Sequence, residues 1–156
     1  MMAGSHVVVG MVAWFWAAPL LHLPQTEPIA LGLAALGALL PDIDHPRSWV
    51  GQHTTLLSKP IAMFFSHRGL THSLLAIALC LVLLRARAFW TPLAVGYLSH
   101  LAADLLTPRG LRLAWPLRWT VAVPLCRTGG VGEPLIVGLL LLATGLHLFR
   151  VRPPWL

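Results

Sequence analysis

The sequence predicts an all-α fold, a polytopic membrane bundle of about five apolar helices, some short, with a polar His/Asp site at one membrane face. Three observations carry that expectation. Apolar residues make up 57% of the 156 and charged residues only 10%, far less charge than a soluble surface requires. Five apolar runs are set apart by Pro and Gly, the residues that mark helix boundaries. Histidines and aspartates gather at the ends of those runs, and an ionisable group at membrane depth is costly enough to imply a function. The length fits one domain, residues 1–156.

The apolar runs are roughly 7–23, 29–40, 74–84, 89–106 and 135–149. The first carries no Lys/Arg-rich stretch before it, so it is expected to be a retained helix and not a cleaved leader. Pro24 and Pro28 separate it from the second, which ends at Pro41. The third follows Thr71-His72-Ser73, with Thr71 expected as its N-cap, and is closed by Arg85 and Arg87. The fourth ends before Thr107-Pro108, and the fifth follows Gly129-Gly130 and Pro134. Crossing a ~30 Å hydrocarbon core takes about 20 apolar residues. The second and third runs are shorter, so their polar ends are expected in the headgroup zone. Two stretches read as non-spanning: 42–67, a long mixed loop, and 107–133, whose LRLAWPLRW alternates apolar residues with Arg112 and Arg118 and suits an interfacial segment. Cys80 and Cys126, with no CxxC spacing, read as packing residues.

If all five runs cross, His6, Asp42, Asp44, His67, His72, His100, Asp104 and Glu133 fall on one side. Among the remaining marked residues, His22, Glu27 and His147 fall on the other. The site side also carries Arg47, Lys59, Arg68, Arg109, Arg112, Arg118 and Arg127, against Arg85, Arg87, Arg150 and Arg152. By the positive-inside rule the site side faces the cytoplasm.

Three motifs carry the chemistry. His100 and Asp104 stand four apart on one helix face, where imidazole and carboxylate can grip one cation; the bland alternative is a His–Asp hydrogen bond. Tyr97 lies one turn earlier and is a candidate substrate contact. In Leu40-Pro41-Asp42-Ile43-Asp44-His45-Pro46, an extended chain would point Asp42 and Asp44 the same way, and two close like charges repel unless a cation lies between them. In His67-Arg68-Gly69-Leu70-Thr71-His72-Ser73, both histidines can turn to one centre, and the planar fork of Arg68 suits an anionic group such as phosphate. The candidate metal ligands are thus His6, Asp42, His67, His72, His100 and Asp104; Asp44, Arg68 and Glu133 are the candidate catalytic groups. His45 and His53 lack partner spacing. A donor set of imidazole and carboxylate without thiolate suits zinc foremost, with manganese or iron as alternatives, as one or two ions.

SHVVVG, LGALLPDIDHPRS, HRGLTHSLL and GYLSHLAADLLTPRGLRLAWP, in that order from His6 to about Pro116, resemble the YdjM-like family, described as LexA-regulated, membrane-bound metal-dependent hydrolases. The resemblance implies a prokaryotic inner-membrane protein with a metal-dependent hydrolase activity. A remoter likeness, in donor types alone, is to the helical zinc-dependent phospholipase C and nuclease P1 group. Those enzymes ligate zinc through a mature N-terminal amine, whereas His6 lies near that position here.

The function expected is hydrolysis of a phosphoester or other ester of a lipid or membrane-associated substrate, through metal-activated water. The alternatives are a metal-ion or proton-coupled transporter and a non-catalytic membrane protein with a structural metal site. Membrane lipid is the expected partner. Nucleic acid is not, because the +6 net charge is scattered and forms no basic block.

Overall fold

The computed structural model describes residues 1–65, 69–85, 89–117 and 119–151. Among them the regular structure is helical: α1 (Ala3–Ala17), α2 (Pro28–Leu39), α3 (Trp49–His53), α4 (Thr55–Phe65), α5 (Leu74–Arg85), α6 (Trp90–Leu105) and α7 (Gly132–Val151). Short 3-10 turns stand at Pro19–Leu21, Leu40–Asp44 and Leu70–His72.

All five expected helices are present, with boundaries moved for local reasons. α1 stops at Ala17 because Pro19 cannot donate the next helical hydrogen bond, and the chain tightens into a 3-10 turn ending at His22 with φ 57°. α7 begins at Gly132, with Pro134 inside its first turn, where a missing N–H costs nothing. α5 begins two residues after His72: Thr71 and His72 stand in the preceding 3-10 turn, and Thr71 does not cap the helix.

The long loop expected over 42–67 is a correction, for it contains α3 and α4. Ser48 caps α3, its Oγ accepting from Gly51 N at 2.9 Å. Pro60 lies inside α4 and argues for a break when read from sequence, yet the helix runs through it. In the 107–133 stretch the described residues before Gly132 form no helix, and Leu111 and Val121 pair as an isolated antiparallel bridge.

α1, α2 and α6 form the core, with α5 packed on α6 and α7 on α1. The α2–α6 seam is made by small residues, which let helix backbones approach closely. Ala34, Ala38 and Ala94 are wholly buried. A Cβ at Gly96 would run into the carbonyl of Ala34, and one at Gly37 into that of Leu93. α7 lies against α1 through Trp16 Nε1, which donates to Thr144 Oγ1 at 3.0 Å, and through the His147 ring, 4.7 Å from that of Trp16. Among the described residues one helix is long and apolar enough to cross a membrane, over Gly132–Arg150; Ala3–Ala17 and Leu74–Arg85 are shorter apolar helices. Cys80 and Cys126 are buried free thiols, as expected.

Candidate metal centre

Four segments deliver side chains to one buried point: His6 from α1, Asp42 from the turn after α2, His72 from the turn before α5, and His100 with Asp104 from α6. His6, His72, His100 and Asp104 are at most 1% exposed. Two overlapping sets have their ligand atoms within 4.8 Å of one another: His6, His100 and Asp104, and Asp42, His72 and His100.

The separations within these sets are informative. His6 Nε2 lies 3.5 Å from Asp104 Oδ1. His72 Nε2 and His100 Nε2 each lie 3.7 Å from Asp104 Oδ2, and His100 Nε2 lies 3.9 Å from Asp42 Oδ1. A hydrogen bond spans about 2.7–3.2 Å, so these pairs are too far apart to satisfy one another. Four ligands about 2.0–2.1 Å from a zinc ion stand ~3.3 Å apart along a tetrahedron's edges, close to the spacing found. The simple alternative at His100 and Asp104, a His–Asp hydrogen bond, is therefore excluded by distance.

A cation also fits the atoms left over. Buried polar atoms are nearly always hydrogen-bonded, yet His100 Nε2, the nitrogen that faces Asp42 and Asp104, has no hydrogen-bond partner among the described residues. The His6 and His100 rings stack with centroids 3.8 Å apart and planes 17° from parallel, so the two imidazoles flank Asp104 side by side.

The tautomers follow from the outer partners. His100 Nδ1 lies 2.7 Å from the Ala38 carbonyl, a pure acceptor, so Nδ1 carries the proton and Nε2 the lone pair. Thr71 donates its hydroxyl proton to Asp44 Oδ2, leaving its oxygen to accept from His72 Nδ1 at 2.9 Å. His72 therefore also presents Nε2 to the centre. Such outer partners fix ring orientation and raise ligand basicity.

These contacts revise the roles expected of three residues. Asp44 does not face the centre beside Asp42. The LPDID segment is a 3-10 turn and not an extended strand, so alternate residues diverge: Asp42 turns to His100, while Asp44 is buried behind His72, 3.4 Å from Nδ1. Glu133 is fully buried but spent elsewhere, its two oxygens accepting from Met2 N at 2.6 Å and Gly129 N at 2.7 Å. It ties the loop before α7 to the start of α1. Tyr97 donates to the Thr71 carbonyl at 2.7 Å, holding the His72 turn and not presenting itself to a substrate. His67 and Arg68 lie outside the described residues.

A cavity of about 190 Å³ opens onto the centre, with Asp42, His45, Arg47, Trp49, Asp104 and Arg109 among its walls. Asp42 is the ligand candidate that reaches it with appreciable exposure, 19% of its side chain. His45, Arg47 and Arg109 have no motif spacing to reveal them; only the turn after α2 and the one after α6 bring them here. The Met1 amino group donates to Asp104 Oδ1 at 2.9 Å.

The family described as YdjM inner membrane protein matches residues 1–153. Over 101 residues the chain is 48% identical to the inner membrane protein YdjM of Escherichia coli (strain K12), an overlap covering 59% of this chain and 52% of that protein. The same figures hold for the Shigella flexneri protein of that name. The match thus spans about half the length of those two relatives. The chain is also 32% identical over 159 residues to the uncharacterized protein YvsG of Bacillus subtilis (strain 168), covering 96% of each. No solved structure matches.

Proposed function

Because this chain belongs to the YdjM inner membrane protein family, we propose that it is a multi-pass protein of the prokaryotic inner membrane whose His/Asp centre makes it a metal-dependent hydrolase of a membrane-associated ester, most simply a lipid phosphoester. The observation that carries the reading is the spacing of the donors: two carboxylates and three imidazoles, drawn from four segments, at ion-binding distances beneath an open cavity. A catalytic metal site keeps a position open to substrate or water, and here a cavity leads to Asp42 and Asp104.

The membrane reading is supported by the outer faces of the helices. Leu74, Leu75, Leu79 and Val82 of α5 and Leu135, Leu139, Leu142, Leu146 and Phe149 of α7 are exposed, as large apolar side chains are where a helix faces lipid. The basic residues on the side of the site favour a cytoplasmic orientation.

His6, His72, His100, Asp42 and Asp104 would hold the cation, with zinc the best match to these ligand types. A divalent ion there supplies Lewis acidity, polarising the ester and making water more acidic. The protein's own groups do the rest. The Ala38 carbonyl and the Thr71 hydroxyl, itself held by Asp44, keep two imidazoles in the tautomer that leaves Nε2 inward. Asp42 faces His100 through Oδ1 and lines the cavity, and its other oxygen can accept the proton that water loses as its oxygen bonds to the phosphorus or acyl carbon. It can then return that proton to the alcohol oxygen when the ester bond breaks. Arg47 and Arg109 stand where an anionic ester would enter.

The test is metal analysis of purified protein beside hydrolysis assays on a panel of lipid phosphoesters and carboxyl esters, for the wild type and for His100→Ala and Asp104→Ala. Stoichiometric metal and turnover, both lost in the two variants, is the expected result. Metal without turnover on any ester would move the assignment to a structural site. Metal-dependent flux in liposomes would move it to a transporter.

A further inference from the structure

We infer that the cavity over the centre and the apolar cleft beside it form one site for an anionic amphiphile, with Arg47 and Arg109 binding its phosphate-like head and Val7, Leu39 and Trp49 receiving its alkyl chain. The inference rests on the hydrolase reading above and deepens it by assigning separate subsites to the head and the chain of its substrate.

The head site is built from two distant loops. Arg47 lies between the LPDID turn and α3, and Arg109 in the turn that follows α6. Both are exposed and both line the cavity that reaches Asp42 and Asp104. Neither makes an ion pair with a carboxylate of the described residues. A guanidinium offers a planar fork to phosphate oxygens, and two forks suit a doubly charged head. An arginine that merely brushes bilayer headgroups has no need to line a cavity over buried carboxylates.

The chain site adjoins it. A cleft of about 260 Å³ is lined by Ala3, Gly4, Val7, Leu39 and Trp49. Ala3 and Trp49 line both hollows, so the polar and apolar spaces share a wall. Nothing lies within 4 Å of where a Cβ on Gly4 would be, so a missing side chain leaves the cleft open on the α1 side. Trp49, 58% exposed, presents an amphipathic ring at the junction, as Trp does where apolar and wet surroundings meet. A ligand with only a head leaves the cleft unfilled, and one with only a chain leaves two arginines unmatched. An alkyl phosphate matches both.

Calorimetric titration of the purified full chain in amphipol, with hexyl phosphate and with inorganic phosphate, tests this. Hexyl phosphate should bind at least 10-fold more tightly than inorganic phosphate. Arg47→Ala with Arg109→Ala should weaken both probes 10-fold or more. Val7→Trp, which fills the cleft, should bring hexyl phosphate down to the affinity of inorganic phosphate and leave the latter unchanged. An unaltered unfolding midpoint in each variant separates these effects from misfolding, and Arg47→Lys or Leu39→Phe replaces any variant that unfolds. Equal affinities for the two probes, or hexyl phosphate binding indifferent to both arginines, overturns the inference. If metal and turnover are present without these effects, only the amphiphile site falls. If the probes behave as expected in protein lacking metal and turnover, the hydrolase reading falls and the site stands.

Discussion

α6 and α7 are both apolar helices of similar length, and the chain uses them in opposite ways. In α6, Pro92, Ala94, Gly96, Ser99, His100, Leu101, Ala103 and Asp104 are among the buried residues. In α7, Glu133 is the sole buried residue among its described side chains, and Leu135, Leu139, Leu142 and Phe149 stand exposed. α6 meets α2 backbone to backbone, whereas α7 is held at its first turn by Glu133 and along its length by Trp16 and Thr144. The difference teaches that small residues set the candidate centre: donor atoms from α6 and the turn after α2 converge because Gly37, Gly96 and Ala34 let the two backbones meet closely. α7 contributes large apolar surface and little geometry.

Substitutions can break that contrast, beginning with the largest effect. Gly96→Leu forces a side chain into the Ala34 carbonyl and should cost about 3 kcal/mol or more; thermal unfolding in detergent should show loss of a cooperative transition. A stable Gly96→Leu protein with unchanged metal content would show that the α2–α6 seam does not position the centre. Asp44→Asn keeps the shape but weakens the partner of His72, and should lower metal affinity 10- to 100-fold, as loss of an outer-shell partner does. Competition with a chromogenic chelator measures it, and retained affinity would make Asp44 merely a packed carboxylate. Glu133→Gln leaves one backbone N–H poorly matched and should lower stability by about 1–3 kcal/mol with metal content intact; a loss of turnover without a loss of stability would restore Glu133 to the reaction. Gly138→Ala, with nothing within 4 Å of the added methyl, should change stability by less than about 1 kcal/mol and in the stabilising direction, since Gly is a poor helix residue. A large loss there would reveal a partner packed on α7.

Much of the centre was legible because it depends on helical spacing and boundary residues. His100 and Asp104 share a face by the 3.6-residue repeat, and Asp42 and His72 stand at helix ends marked by Pro41 and Ser73. His6 emerged only from the alternation of sides along the chain. What was hidden has one cause: it depends on turn geometry and on neighbours far along the chain. Asp42 and Asp44 look equivalent in sequence, and a 3-10 turn separates them into an inward and an outward partner. Glu133 looks like a catalytic acid before a helix, and its role as a clamp requires Met2 and Gly129 to be near. α3 and α4 were obscured by Pro60 and by polar residues spread among Leu56, Leu57 and Ile61. Arg47, Arg109 and His45 belong to no spacing pattern, and a cavity wall is a property of the assembled surface.

His100 belongs to both ligand groups, and its Nδ1 is committed to the Ala38 carbonyl. The remaining ring nitrogen has one lone pair and can ligate one ion at a time. Two ions therefore cannot each claim it, and the overlapping groups describe a competition. Asp104 stands between the two groups: its Oδ1 accepts from the Met1 amino group and lies 3.5 Å from His6, while its Oδ2 turns toward His72 and His100. Were the centre to hold more than one ion, the two groups would have to compete for that single lone pair, so Asp42 with His72 and His6 with Asp104 would divide the remaining donors between them.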